Sequence, residues 1–241
     1  MQEKNLNNDI ELIKRYVNKT KHKEAINRLK NGEPVQYIIG NVEFCDTLIE
    51  VNENVLIPRF ETELLVDKTI KLAKKKFNQK INILDLGTGS GCIAISLKKS
   101  LNANVIAIDI SQKALEVAKK NAILNNVNIM FENWDMNNPY LGKFDLIISN
   151  PPYIGKNMFV EEKVLKFEPS QALFAEDEGL YYYKKIINYL PLITSSNFLV
   201  AFEIGDNQKE KLDEFLKDYC YKYVFEKDLT NRYRYLFIYN E

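Results

Sequence analysis

Beyond Lys80, short apolar runs alternate with amphipathic stretches, a rhythm that predicts an α/β domain. Strands are expected at 81–86, 104–109, 127–131, 144–149 and 197–204, with helices between most of them. Runs such as Leu146-Ile147-Ile148-Ser149 have no polar alternation, as parallel strands buried on both faces require. The last two candidates, 221–227 and 233–239, lie too close together for a helical crossover and predict an antiparallel hairpin. A mostly parallel seven-stranded sheet ending in that hairpin is the expected core. Upstream, Ile10, Ile13, Tyr16 and Val17, then Ala25, Ile26 and Leu29, recur at helical spacing, predicting two short helices that end at Asn31-Gly32. Pro34 interrupts the pattern, 37–57 alternates like a β-hairpin or meander, and 61–77 reads as an amphipathic helix. The expected organisation is a helical segment at 1–33, a β-hairpin linker at 34–60 and the main domain at 61–241.

Charge narrows the functional class. Thirty-three basic residues balance 33 acidic ones, whereas nucleic-acid enzymes usually carry a basic excess. The lysines of 71–80 are expected to form a solvated helix face. Cys45, Cys92 and Cys220 are scattered and odd in number, without Cys-x-x-Cys spacing, which argues against a disulfide framework or a zinc site. No metal site is expected. His22, the sole histidine, lies in a lysine-rich polar stretch, which argues against chemistry needing a catalytic histidine. No signal-peptide pattern and no apolar run of membrane-spanning length is evident, and a cytoplasmic protein is expected.

Chemistry enters at the strand ends. Gly87-Thr88-Gly89-Ser90-Gly91 directly follows the 81–86 run, where glycines permit positive φ and close approach of a ligand to the backbone. Asp109 ends the next strand, about twenty residues beyond the glycines, the offset at which a carboxylate holds ribose hydroxyls. No Gly-Lys-Ser/Thr follows, and the spacing is Gly-x-Gly-x-Gly, unlike either phosphate-cradling fingerprint. With Asp85 before the turn and Asp109 after it, the surroundings are acidic and favour a cationic, phosphate-free nucleoside such as S-adenosylmethionine. Trp134, the only tryptophan, falls where an adenine ring could rest.

Asn150-Pro151-Pro152-Tyr153 follows the 144–149 run. It supplies an amide side chain, carbonyls with few competing N–H donors and an aromatic face. That set suits a planar NH2-bearing substrate: two acceptors taking its two protons localise the nitrogen lone pair, and the ring clamps its plane.

Taken together, these stretches resemble the HemK-type protein-(glutamine-N5) methyltransferases that modify peptide chain release factors. The resemblance rests on 32–40, on 55–63 with its Pro58-Arg59-Phe60-Glu61-Thr62-Glu63 run, on 85–91, on 149–154, and on 168–173, 203–205 and 227–229. It implies a Rossmann-like class I S-adenosylmethionine-dependent fold, with release factors as protein substrates. It also implies roles: Gly87, Thr88, Gly89, Ser90 and Gly91 around the methionine part of the cofactor, Asp109 on its ribose and Trp134 on its adenine. Asn150 and the Pro151 carbonyl would accept the two amide protons, with Pro152 and Tyr153 completing the substrate contacts and Asn150 also bordering the cofactor.

The chain departs from the family pattern in its short run before 32–40, in Phe60 where proline is usual, and in Asn133 where an acidic residue is usual. An auxiliary subunit could stand in for missing docking helices. An amino-methyltransferase acting on adenine or cytosine of DNA or RNA is the alternative, since it uses the same Asn-Pro-Pro-Tyr chemistry. The charge balance and the Pro58–Glu63 match weigh against it, and intact Asp109 and Asn150 weigh against a binding-only module.

Overall fold

The computed structural model describes residues 2–240. Helices α1 (Gln2–Tyr16), α2 (His22–Lys30) and α3 (Val35–Ile39) bury Ile13, Ala25, Leu29, Val35 and Ile38 against one another. The first two follow the predicted spacing. The third departs from the expected alternation: Val35 and Ile38 turn toward α1 and α2, while Tyr37 points into the main core and donates from its hydroxyl to the Val55 carbonyl (2.6 Å). A helical turn satisfies both demands at once, and Gly40 ends it in the left-handed region.

The predicted hairpin is β1 (Asn41–Phe44) and β2 (Thr47–Glu50), antiparallel with Val42 opposite Ile49. It is shorter than the alternation at 37–57 suggests. Asn121 anchors it from below, its Oδ1 accepting from the Glu50 N–H and its Nδ2 donating to the Glu50 carbonyl.

Helix α4 (Phe60–Lys76) then leads into β3 (Ile81–Leu86), α5 (Cys92–Ser100), β4 (Ala103–Asp109), α6 (Gln112–Leu124), β5 (Met130–Asn133) and β6 (Phe144–Ser149). The chain continues through β7 (Ile154–Gly155), α7 (Glu162–Phe167), β8 (Phe174–Ala175), α8 (Tyr181–Ile193), β9 (Thr194–Glu203), α9 (Lys209–Leu216), β10 (Lys222–Lys227) and β11 (Tyr233–Tyr239). Seven strands form one sheet in the order β10-β11-β9-β6-β3-β4-β5. Only β11 runs against its neighbours, pairing antiparallel with both β9 and β10, so the expected sheet and terminal hairpin are in place. Apolar clusters cover the two faces: Leu65, Ile95 and Val117 lie in one, Ile186, Leu190 and Leu212 in the other.

Strand β5 begins at Met130, three residues later than expected. The Asn126 N–H bonds back to the Ile123 carbonyl and the Val127 N–H to the Ala122 carbonyl, a Schellman closure of α6 that takes Val127 out of the strand. The small parallel pair β7–β8 also lies outside the expected pattern. Among the described residues, no helix is long and apolar enough to cross a membrane, and no group of three or more His, Cys, Asp or Glu side chains could hold a metal ion.

Candidate active site

The reversal of connection between β3 and its neighbours β4 and β6 leaves a cleft at the carboxyl ends of these parallel strands, where ligands of such sheets sit. Gly87 and Gly89 form its floor, with φ of +74° and +53°. The Gly87 and Thr88 N–H groups both donate to the Ile108 carbonyl (2.9 Å), which ties the turn to β4. A side chain at Gly87 would run into Met136, and one at Gly89 would project into open space. The rest of the motif is structural support. Thr88 donates to Asp85 Oδ2 (2.6 Å), the Ser90 carbonyl accepts from Asn121 Nδ2 (2.9 Å), and Gly91 lets α5 close onto Ala118 of α6.

Asp109 ends β4 at the cleft wall. Its Oδ2 accepts from the Gly89 N–H (2.9 Å) and its Oδ1 from the Ser111 N–H (2.8 Å), so this carboxylate shapes the glycine turn as well as facing the cleft. Burial holds it above the ordinary carboxylate range, with both N–H donors pulling it back. Asp85, fully buried beneath the turn, has no partner on Oδ1 among the described residues. Burial pushes it up to about 7, the Thr88 hydroxyl opposes, and the charge of Asp109 adds to the rise. Two carboxylates so placed are relieved by positive charge and disfavour phosphate. The donor set therefore fits a sulfonium nucleoside bearing an ammonium group.

Trp134 stands at the rim rather than among the residues that line the cleft; the lining comes from its successors Asp135 and Met136. Its backbone N–H donates to the Asp109 carbonyl, its indole N–H donates to the Asn138 carbonyl (3.1 Å), and Tyr140 meets the ring edge-on. Asn133 gives its Nδ2 to the carbonyls of Asp109 (3.0 Å) and Ile110 (2.8 Å). An acidic side chain could make neither bond, which gives the asparagine a local purpose.

The Asn-Pro-Pro-Tyr segment leaves β6 on the same cleft. Asn150 and Pro152 line it, while the buried Pro151 and the half-buried Tyr153 are not among its lining residues. The two motifs, distant in sequence, thus border one cavity, closed on its far side by Leu56, Pro169, Gln171 and Tyr182. Asn150 Nδ2 donates to Thr62 Oγ1 (3.1 Å), and Thr62 donates to Glu203 Oε2 (2.6 Å). Tyr153 donates from its hydroxyl to the other oxygen, Glu203 Oε1 (3.3 Å). Burial drives the Tyr153 phenol well above its ordinary range, and the charge of Glu203 adds to this. Gln208 fixes the backbone here, donating to the Tyr153 carbonyl (2.9 Å) and accepting from the Gly205 N–H (2.8 Å). Gly179 is needed beside it, since a Cβ there would lie 2.0 Å from the Tyr153 oxygen.

Thr62, Glu203, Gln208 and Tyr182 are absent from the residues expected at the site. The first two do lie in stretches that carry the family resemblance, at 58–63 and 203–205, but nothing in their local spacing marks them as neighbours of Asn150.

A family model described as the methyltransferase small domain matches residues 60–171. The release factor glutamine methyltransferase of Flavobacterium psychrophilum is 45% identical over 206 residues, covering 81% of this chain and 71% of that protein. The chain belongs to the release factor glutamine methyltransferase family. The family's member from Lactococcus lactis is 41% identical over 198 residues, covering 81% of this chain and 72% of its own. Among solved structures, the ribosomal protein L11 methylase of Lactobacillus delbrueckii subsp. bulgaricus superposes with a TM-score of 0.57 at 23% identity, covering 75% of this chain and 79% of that one. The shared fold is that of class I S-adenosylmethionine-dependent methyltransferases, and as a member of the family this chain is such an enzyme.

Proposed function

We propose that this protein methylates the side-chain nitrogen of the glutamine in the Gly-Gly-Gln loop of peptide chain release factors. The observation that carries the proposal is that Asn150, an amide acceptor at the end of β6, borders the same cleft as the glycine turn and Asp109. S-adenosylmethionine supplies a sulfonium methyl, which the glutamine nitrogen takes as the carbon–sulfur electron pair returns to sulfur. Gly87 and Gly89 allow the backbone to approach the methionine part, with Thr88, Ser90 and Gly91 holding the turn in shape. Asp109 accepts from the ribose, and Trp134 offers its face to the adenine from the rim.

A carboxamide nitrogen is a poor nucleophile because its lone pair is delocalised. Asn150 Oδ1 and the Pro151 carbonyl accept its two N–H groups, which draws the lone pair back onto nitrogen, while Pro152 and Tyr153 hold the amide plane. Methylation acidifies the nitrogen, so the surplus proton leaves to solvent without a strong base. The helical segment at 1–33 and the linker with its hairpin at 34–60 offer a docking surface for the factor beside the domain at 61–241. A translation factor as substrate puts the reaction in the cytoplasm.

The test is transfer of tritiated methyl from S-adenosylmethionine to unmodified release factor, beside a Gln→Ala loop variant and a total RNA/DNA control. Label confined to the intact Gly-Gly-Gln factor is expected. Label on nucleic acid, or on the Gln→Ala variant, overturns the proposal.

A further inference from the structure

Glu203 ends β9 and is nearly sealed from solvent, and it is not among the residues that line the cleft. Both of its oxygens are engaged by hydroxyls that lead to the substrate clamp, one from Thr62 and one from Tyr153. An ionised carboxylate has no proton to give. The Thr62 hydrogen must therefore point to Glu203, which leaves only lone pairs of Thr62 Oγ1 to face Asn150. Lone pairs admit the NH2 end of the Asn150 amide and exclude its carbonyl end. The two ends of an asparagine amide are nearly the same shape, so sterics alone would not choose between them. The hydroxyl relay does.

We propose, on the basis of the methyl-transfer reading above, that Glu203 and Thr62 are positioning residues that fix the Asn150 amide with its oxygen toward the substrate, and that the charge of Glu203 enforces this orientation. A protonated acid that donated to Thr62, reversing that bond, would turn the Asn150 NH2 toward the incoming glutamine NH2. Donor would then face donor, and the lone-pair localisation that the reaction needs would be lost. Through its second oxygen the same carboxylate holds Tyr153, so one buried charge sets both the acceptor and the aromatic wall.

Protonation of Glu203 undoes the rule. Once the carboxyl carries a hydrogen it can donate to Thr62, whose own hydrogen is then free to bond Asn150 Oδ1 in the flipped amide. The groups facing Glu203 come from four elements: Thr62 and Glu61 on α4, Tyr153 after β6, Tyr183 on α8, whose hydroxyl donates to the Glu203 carbonyl (2.7 Å), and Arg234 and Tyr235 on β11. Burial raises the carboxyl to about 7; the Thr62 bond and the Arg234 charge oppose the rise, and Glu61 adds to it. Arg234 is itself shared with Asp206 (2.6 Å), so it offsets the Glu203 charge only in part. Turnover should then fall on the acid side of neutrality, as the fraction of locked amide falls.

Thr62→Val keeps the shape of the side chain and removes both ends of the relay. Its kcat should drop about tenfold or more, with the S-adenosylmethionine Kd within about twofold of wild type, and Thr62→Ser should restore most of the rate. Glu203→Gln should lose the acid limb of kcat against pH. Should the valine variant fail to bind cofactor, Thr62→Ala and Thr62→Ser make the same comparison. Independently of any substrate, 15N-asparagine labelling, with the Asn150 side-chain pair assigned from its loss in Asn150→Asp, reads the orientation directly. That pair should shift in Thr62→Val and return in Thr62→Ser. Wild-type kcat in Thr62→Val, equal losses in the valine and serine variants, an acid limb that persists in Glu203→Gln, or an Asn150 pair indifferent to residue 62 would each overturn the relay. If the wild-type enzyme labels no release factor while the Asn150 pair still follows residue 62, the substrate proposal fails and the relay stands.

Discussion

Arg59 Nη2 lies 2.5 Å from Glu168 Oε1, clasping the residue before α4 to the residue after α7. The carboxylate is almost wholly buried and the guanidinium a little over one-third exposed, at 2% and 37%. Among the described residues, removing the arginine leaves a buried charge with only the long bond from the Ile57 N–H (3.4 Å) to hold it. Arg59→Ala should therefore cost about 1–2 kcal/mol, below the full penalty of a sealed pair because Arg59 reaches water. Arg59→Ala/Glu168→Gln should recover part of that loss by removing the stranded charge. Urea unfolding with an unchanged m-value is the measurement, and a double variant no better than Arg59→Ala alone would contradict this account.

Asn150→Ala should lower turnover about a hundredfold or more while leaving S-adenosylmethionine binding nearly intact, the range for one lost transition-state contact. Calorimetry for binding and initial rates for turnover separate the two. Near-wild-type turnover would remove Asn150 from the mechanism.

Asp109→Ala should weaken cofactor binding by about tenfold or more, since a charged acceptor is typically worth ~1.5–3 kcal/mol. Part of that loss would come through the turn, because Asp109 also accepts from the Gly89 and Ser111 N–H groups. An unchanged Kd by calorimetry would mean that the ribose is held elsewhere.

Asp85 and Glu203 predict how stability follows pH. Burial raises both carboxyls to about 7 in the folded chain, whereas exposed carboxyls titrate near ~4. Over that interval the folded chain binds protons that the unfolded chain has shed, so stability falls as pH rises. The contribution is complete below ~4 and lost on passing ~7. Asp85→Asn should flatten this fall and gain about 1–2 kcal/mol relative to wild type at pH ~8, with little gain at pH ~4. A midpoint difference between variant and wild type that is the same at both pH values would contradict the assignment.

Most of the sheet was legible because buried parallel strands leave uninterrupted apolar runs, and 81–86, 144–149 and 233–239 match β3, β6 and β11 residue for residue. Where local pattern and hydrogen-bond closure compete, closure wins: Val127 goes to the end of α6, and 35–39 to a helical turn whose faces serve two different cores. At the site, Asn150 and the glycine turn announce themselves by composition. Thr62 and Glu203 do not, because their significance arises only when α4 and the end of β9 are brought together, a relation between residues 141 positions apart. Trp134 shows the converse: its place just after a strand suggests a ligand contact, while the fold sets its successors Asp135 and Met136 into the cleft lining.

The linkage from Glu203 to Thr62 to Asn150 also constrains descent. Replacing any one of the three by a side chain that lacks its hydrogen-bonding groups strands its neighbour without a partner of the right polarity, so a lineage altering this corner stepwise in that way must pass through an impaired ancestor. Positions 62, 150 and 203 should accordingly be inherited as a set, and where related enzymes differ there they should differ together.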